Sequence, residues 1–203
     1  MTFKTDSRFQ KQLFVLNGIL PGALMLWDGA RGGLGANPVE FVTRATGVLA
    51  LLFLVITLLV TPLRKLLGWS WLHQHRRLLG LYAFYYGAAH LLTYLAFDRD
   101  WKLQTVFADI LKRPFIAVGM VSSALMVPLA VTSSHAMIKK LGGKSWALLH
   151  RLTYVIAIGG VIHYYIIVKS DTTYPILFGI ATAVLLGYRA FVALKPAKKM
   201  VKA

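Results

Sequence analysis

The sequence predicts an all-α integral membrane protein, a bundle of six transmembrane helices with both termini in the cytoplasm. Of its 203 residues, 57% are hydrophobic, and the mean hydropathy is +0.62, a composition that excludes an ordinary water-soluble domain. Six apolar runs approach the roughly 20 residues that an α-helix needs to cross the hydrocarbon core of a bilayer. The basic residues fall mainly on alternate connections between these runs.

We expect one domain over residues 1–203, with no internal repeat. The predicted helices cover residues 12–28, 43–63, 77–97, 114–137, 146–168 and 173–194. The first is short, contains Asn17 and Pro21, and follows a basic segment as the apolar part of a signal peptide does. Because five further spans follow it, we interpret it as an uncleaved first helix. The next four runs are long and apolar, and the last includes Arg189.

The net charge of +16 is interpreted as a topology signal. With the amino terminus inside, the cytoplasmic segments hold 16 Lys and Arg against one acid, Asp6, whereas the outer segments hold seven against six. These segments are 1–11, 64–77, 139–151 and 189–203 inside, and 28–44, 98–113 and 169–171 outside. Cytoplasmic loops of membrane proteins carry such a basic excess, and the five tryptophans lie near predicted helix ends, as interfacial anchors do. We therefore expect a lipid bilayer, and no nucleic acid, as the partner of these charges.

Several classes of site are excluded by the composition. The chain has no cysteine, which removes disulfides, thiolate metal sites, iron–sulfur clusters and covalently attached c-type haem. Gly32, Gly33 and Gly35 do not form a dinucleotide fingerprint, because no strand precedes them and no βαβ unit follows. No Walker motif is present. Electrons from NAD(P)H would need another polypeptide or a diffusible carrier.

His90 and His163 are the strongest candidate functional residues. Each lies within an apolar run, where an ionisable side chain is costly and normally faces the bundle interior or a functional pathway. By helical rise, both lie in the outer half of predicted helices that run in the same direction. Gly87 and Gly160, each three residues earlier, would leave space for a flat partner. Two neutral imidazoles at one depth predict axial ligation of a b-type haem iron, and interhelical hydrogen bonding is the alternative.

The other four histidines are weaker candidates. His150 lies about 20 Å along the helix from His163, so both cannot bind one iron; it is predicted to hold a second site with an unknown partner or to be a solvated interfacial residue. His73, His75 and His135 lie at helix ends, where we expect solvated side chains. Arg76 and Arg77 are expected to set topology or to pair with haem propionates or a phosphate.

Several short segments together resemble a known family. They are His-Arg-Arg-Leu-Leu-Gly-Leu at 75–81, Ala-His-Leu at 89–91, Gly-Gly-Leu-Gly-Ala-Asn-Pro-Val at 32–39, Leu-Leu-His at 148–150 and Ile-His-Tyr at 162–164. In combination they are similar to the ferric-reductase-like transmembrane domain. More narrowly, they resemble the haem-binding membrane subunits of the bacterial periplasmic protein-methionine-sulfoxide reductase system, the MsrQ/YedZ family. The similarity covers nearly the whole chain.

The resemblance implies specific ligands. The wider superfamily places histidine pairs on helices three and five to hold two haems. His150 and His163 match the pair on helix five, and His90 matches the outer ligand on helix three. Arg76 stands where the inner ligand of helix three would be expected. The resemblance therefore implies one complete site, His90 with His163, while His150 either ligates a second haem or supports a flavin.

The resemblance also implies an electron-transfer subunit rather than a catalytic one. Members carry electrons from the respiratory chain, through quinol or a flavin reductase, across the bacterial inner membrane. The acceptor is a periplasmic molybdopterin-dependent reductase that repairs oxidised proteins, and members are described as binding FMN. Two alternatives remain open: a stand-alone ferric or oxygen reductase, and a transporter or channel whose histidines relay protons.

Overall fold

The computed structural model describes residues 7–194, and the regular elements within that range are helical. The helices are α1 (Ser7–Ala30), α2 (Pro38–Leu66), α3 (Arg76–Thr93), α4 (Leu103–Lys112), α5 (Pro114–Val131), α6 (His135–Leu141), α7 (Gly143–Leu149), α8 (Leu152–Ile167) and α9 (Thr173–Leu194). A 3-10 turn (Ser70–His75) precedes α3, and a π-helical turn (Tyr94–Asp98) follows it. The all-α prediction is confirmed.

Five stretches within the described residues are long and apolar enough to cross a membrane. They are α1, α2, α5, the combined stretch Gly143–Ile167 formed by α7 and α8, and α9. The remaining predicted span corresponds to α3, which has 18 residues and carries Arg76, Arg77 and His90. Long apolar helices with many exposed large hydrophobic side chains identify a multi-helix membrane protein.

Four helices form the central bundle. α2 packs along α3 and α5 packs along α8, and contacts of α3 with α5 and of α2 with α8 join the two pairs. α9 packs against α2 and α8, and α1 packs against α3. Leu58, Ala83, Ile156 and Ala157 are almost completely buried at these contacts. α3 and α8 make few direct backbone contacts, so side chains between them meet across the bundle interior.

The start of α2 is set by a capping box that lies before the predicted boundary at residue 43. The Asn37 side chain accepts a hydrogen bond from the Glu40 backbone N–H (3.1 Å) and donates one to the Glu40 carboxylate (3.0 Å). Pro38 occupies the first helical position, where its missing N–H costs nothing. Asn-Pro-x-Glu therefore begins the helix five residues earlier than apolar periodicity alone indicates.

Side chains from other helices bond to backbone groups beside two transmembrane prolines. Pro62 has no N–H, so the Leu58 carbonyl one turn earlier lacks its helical donor. Arg189 of α9 donates to that carbonyl at 2.6 Å. In α1, which contains Pro21, the Tyr86 hydroxyl donates to the Gly18 carbonyl (2.8 Å) and accepts from the Gly22 N–H (3.0 Å). Neighbouring groups of this kind make proline tolerable in membrane helices.

Three connections differ from the sequence prediction. The segment 98–113, assigned from the sequence to an outer connection between predicted helices, contains the amphipathic helix α4. The fourth predicted helix ends at Val131, because residues 132–134 turn and the Ser134 hydroxyl caps α6. The fifth is divided at His150 and Arg151 into α7 and α8, whereas Gly159 and Gly160 lie within continuous helix. The terminal segments 1–6 and 195–203, which the charge argument also counted, lie outside the described residues.

Candidate functional site

His90 of α3 and His163 of α8 meet in the interior between their helices. Their ring centroids are 6.0 Å apart, and the ring planes are nearly perpendicular at 86°. Both side chains are partly buried. The two histidines are 73 positions apart in the chain, so the helical packing, rather than local sequence, brings them together. The structure therefore places the two strongest sequence candidates side by side.

Each of the two rings is held by a backbone carbonyl. His90 Nδ1 lies 2.8 Å from the Thr43 carbonyl oxygen on α2, and His163 Nδ1 lies 2.6 Å from the Phe115 carbonyl oxygen on α5. A carbonyl oxygen can only accept, so Nδ1 carries the hydrogen in both rings. In a neutral imidazole the lone pair then lies on Nε2. Both side chains are thus fixed in the tautomer that binds a metal through Nε2.

Two glycines on the supporting helices make these hydrogen bonds possible. Gly47 and Gly119 each lie four residues after the carbonyl residue, directly against an imidazole. A Cβ at Gly47 would lie 3.0 Å from His90 Nδ1, and a Cβ at Gly119 would lie 2.8 Å from His163 Nδ1. Any larger residue would push the ring off its carbonyl. Neither glycine was predicted from the sequence. The one signal that could have found them is their equal spacing, four residues after Thr43 and four residues after Phe115.

The glycines predicted from sequence face other neighbours. A Cβ at Gly87 would approach the Met126 sulfur at 3.3 Å, and one at Gly160 would approach Leu51 Cδ1 at 3.2 Å. These positions open space next to apolar side chains rather than next to the imidazoles. Their assignment to a cofactor stays a prediction.

His150 has a different environment at the opposite end of the bundle. It ends α7, its Nε2 lies 3.2 Å from the Thr132 hydroxyl, and its ring stacks on Trp146 with centroids 4.0 Å apart. The Trp146 indole N–H in turn donates to the Thr132 carbonyl (2.9 Å). Arg76 lies close enough for an electrostatic interaction with His150. No second histidine stacks on or bonds to His150 among residues 7–194.

The remaining predicted residues lie around the same end. Arg76 begins α3 and is half-buried, and Arg77 is exposed. His73 and His135 are exposed, as expected for helix-end histidines.

His75 was expected to be solvated, and this prediction was wrong. The side chain is 4% exposed, and its ring stacks on Phe14 of α1 at 4.3 Å. Its Nε2 lies 3.1 Å from the Gln74 amide nitrogen, which donates to it. Burial lowers the pKa of His75. Partial burial and the nearby Arg64 and Arg76 lower the pKa of His73 as well.

The donor set of the histidine pair fits a haem iron. Among residues 7–194 no three His, Cys, Asp or Glu side chains converge, so the pair is too small a ligand set for a bare ion. His90 and His163 would hold such an iron through their Nε2 atoms, and two metal–nitrogen bonds of about 2 Å each would fit within the 6.0 Å that separates the ring centroids. A porphyrin would supply the four ligands that the protein does not.

Comparison with known proteins gives the family. The model of the ferric reductase like transmembrane component matches residues 46–161. The chain is 49% identical to the protein-methionine-sulfoxide reductase heme-binding subunit MsrQ of Azospira oryzae, over 93% of this chain and 83% of that protein. It is 46% identical to the MsrQ of Herminiimonas arsenicoxydans (89% and 84%) and 45% identical to that of Rhodospirillum rubrum (84% and 84%). The chain therefore belongs to the ferric reductase like transmembrane component family and, within it, to the family of the MsrQ subunits.

Proposed function

We propose that this chain is a membrane electron-transfer subunit that holds haem b between His90 and His163. The observation that supports this best is the pairing of two imidazoles 6.0 Å apart whose Nδ1 atoms are both bound to carbonyl oxygens. A haem held by both His90 and His163 would supply reversible one-electron chemistry and would leave oxygen no open position on the iron. The chain has no cysteine for covalent attachment of a c-type haem, which supports a b-type haem. The relatives are named heme-binding subunits.

The four polypeptide groups around the pair have a positioning role. The Thr43 and Phe115 carbonyls hold the Nδ1 hydrogens, and Gly47 and Gly119 let the rings lie against the helix backbones. Fixed ligands need little rearrangement when the charge of their metal changes, which favours electron transfer over ligand exchange.

We further propose six membrane spans in one domain, with α3 as the sixth, and cytoplasmic termini in the bacterial inner membrane. The acids within residues 7–194 fall in or beside the connections on the His90–His163 side of the bundle. These acids are Asp28, Glu40, Asp98, Asp100, Asp109 and Asp171. The opposite side carries the basic surplus, which marks the cytoplasmic face of a bacterial membrane protein. The histidine pair then lies nearer the periplasm.

The proposed partners follow from this orientation and from the names of the relatives. We place the chain between the quinol pool, or a flavin reductase, and a periplasmic molybdopterin-dependent methionine sulfoxide reductase. The relatives are named subunits of a protein-methionine-sulfoxide reductase, so a separate catalytic subunit performs the reduction. A haem site close to the periplasmic face suits electron delivery to a soluble partner there.

A second cofactor site is proposed at His150. A second haem, or the FMN that the family resemblance implies, would lie at the basic end of the bundle. Arg76 is half-buried and interacts electrostatically with His150, and Arg77 follows it on the exposed side. Two guanidinium groups can bind a propionate or a phosphate through charge-assisted hydrogen bonds.

The test is haem quantification in detergent-purified protein. Pyridine haemochrome analysis and a reduced-minus-oxidised spectrum should show b-type haem in the wild type. His90→Ala and His163→Ala should each lose most of it, while the exposed-histidine control His135→Ala should retain it. His150→Ala separates one haem from two by its stoichiometry. A colourless wild type would favour the proton-relay alternative, and a spectrum unchanged in both pair variants would refute the ligand assignment.

A further inference from the structure

Helix α4 presents three distinct faces. At about 100° per residue, Val106, Asp109 and Ile110 form one face, which is buried or partly buried against the bundle. Gln104, Thr105 and Lys112 form a polar face that is exposed. Between these two lies a third sector of Leu103, Phe107 and Leu111, spaced i, i+4 and i+8. This apolar sector borders the buried face. Its side chains are exposed, so residues 7–194 do not cover it.

The apolar sector is exposed in this chain. Phe107 is 66% exposed and Leu111 is 86% exposed. Trp101, in the turn that precedes α4, is 59% exposed. That turn holds Asp100 and Trp101 at φ values of 45° and 59°, in the left-handed region that side chains disfavour. The turn is therefore locally strained, and it leaves the large aromatic ring of Trp101 on the surface.

The buried face of α4 is fixed to the bundle by Asp109. Its carboxylate accepts a hydrogen bond from the Tyr94 hydroxyl (2.7 Å) and pairs with Arg99 (2.5 Å). Arg113, just after α4, lies 3.6 Å from the same carboxylate. Tyr94 is one helical turn beyond His90 on the same chain segment. The orientation of α4, and with it the direction of the apolar sector, is therefore set by the end of α3.

The position of α4 identifies the occupant as lipid. A single residue, Arg113, separates α4 from α5, which is a candidate membrane span. Since one peptide unit extends the chain by about 3.8 Å, the carboxyl end of α4 lies at the membrane surface. Leu111, the most exposed residue of the apolar sector, is at that end. Lys102 lies 3.6 Å from Asp100 and Arg113 lies 3.6 Å from Asp109, while Lys112, the last residue of α4, presents a positive charge complementary to lipid phosphates.

We propose that α4 is an interfacial helix whose apolar sector, Leu103, Phe107 and Leu111, inserts into the lipid leaflet on the His90–His163 side. A short amphipathic helix with an apolar face and basic flanks lies in the plane of the interface, and a tryptophan beside it takes the headgroup level. Its polar face then points to water. Because Asp109 of α4 accepts a hydrogen bond from Tyr94, an α4 held at the membrane surface would also fix the depth of the end of α3.

The experiment uses the absence of native cysteine, so that one introduced cysteine carries one nitroxide label. Leu111→Cys is compared with its neighbour Lys112→Cys, and Phe107→Cys is compared with Thr105→Cys. The full chain is reconstituted in nanodiscs of phosphatidylethanolamine and phosphatidylglycerol. Power-saturation EPR then measures the accessibility of each label to oxygen, which concentrates in lipid, and to a water-soluble nickel chelate. Retention of the wild-type visible spectrum serves as the folding control.

Labels at 107 and 111 should be relaxed mainly by oxygen, and labels at 105 and 112 mainly by the nickel chelate. Within each pair, the ratio of oxygen accessibility to nickel accessibility should differ at least severalfold. Equal nickel accessibility at all four positions would overturn the proposal, because the apolar sector would then face water and be free for a soluble protein. Shielding of 107 and 111 from both reagents would also overturn it, by placing a second copy of the chain on this face.

Discussion

The two ends of the bundle hold their histidines in opposite ways. At the His90–His163 end, each ring gives its Nδ1 hydrogen to a carbonyl, and the two ring centroids lie 6.0 Å apart. At the other end, His150 uses Nε2 itself, in a contact with the Thr132 hydroxyl, and its ring face is covered by Trp146. A ligand bond from His150 Nε2 would have to replace that contact. At the first end both Nδ1 atoms are hydrogen-bonded and we propose coordination through Nε2, whereas at the second end Nε2 itself makes the hydrogen-bond contact.

The two ends also differ in the backbone that supports the histidine rings. Both members of the pair rest against a glycine four residues after the carbonyl they bind, on two different helices. His150 has no such glycine, because it lies at the break between α7 and α8. The repeated carbonyl–glycine arrangement, rather than the presence of histidine alone, distinguishes the His90–His163 end, where we propose coordination.

The largest effect is expected from filling the two glycine positions. Gly119→Ala would place a Cβ 2.8 Å from His163 Nδ1 and Gly47→Ala one 3.0 Å from His90 Nδ1. Overpacking of this kind costs about 1–3 kcal/mol, which corresponds to a loss of haem affinity between roughly fivefold and 150-fold. Haem titration of the apoprotein, followed by absorbance, measures the change, and Gly119→Ala should lose more.

Gly187→Ala is the matched control, because a Cβ at Gly187 meets nothing within 4 Å. It should bind haem as the wild type does. If Gly47→Ala and Gly119→Ala also bound haem with wild-type affinity, the glycines would have no role in holding the rings. The two ends of the bundle would then differ only in where their histidines lie.

A second test concerns how side chains stabilise the backbone at the end of the bundle opposite the His90–His163 pair. Arg189→Met removes the donor to the Leu58 carbonyl, which Pro62 leaves without a helical partner. An unsatisfied buried carbonyl costs about 1–3 kcal/mol. Pro62→Ala restores the helical N–H, so Arg189→Met should cost clearly less in that background. Thermal unfolding of the four variants gives the coupling energy, and strict additivity would contradict the assignment.

The sequence was sufficient for the helical class and for the pairing of His90 with His163, because burial cost and helical rise depend on residues within one helix. It was insufficient for Gly47 and Gly119, which act on histidines more than 40 positions away through packing between helices. The spacing of Leu103, Val106, Phe107, Ile110 and Leu111 is that of apolar residues on a helix and indicates α4. The helix was not predicted because the charged residues of 98–113 led to its assignment as a connection. His75 was misjudged because its covering partner, Phe14, comes from another helix.

A smaller effect is expected from Thr132→Val, which removes the hydroxyl next to His150 Nε2. Losing one neutral hydrogen bond should lower the unfolding free energy by about 1 kcal/mol. If His150 is not a ligand in the wild type, the haem stoichiometry and the visible spectrum should not change. A variant that gained a second haem would show that the hydroxyl, rather than the missing partner on α3, keeps His150 from coordinating.

The smallest effect is a pH dependence from His75. Burial lowers its pKa in the folded protein, so below the ordinary value of about 6.5 the unfolded chain binds a proton that the folded chain does not. Stability is therefore complete above that pH and falls as the pH decreases toward the folded-state pKa. The midpoint of thermal unfolding should decrease between about pH 7 and pH 5.5. His75→Phe keeps the ring contact with Phe14 and should flatten this dependence, whereas the exposed-site control His135→Phe should not. An equal slope in all three proteins would assign the acid sensitivity to groups other than His75.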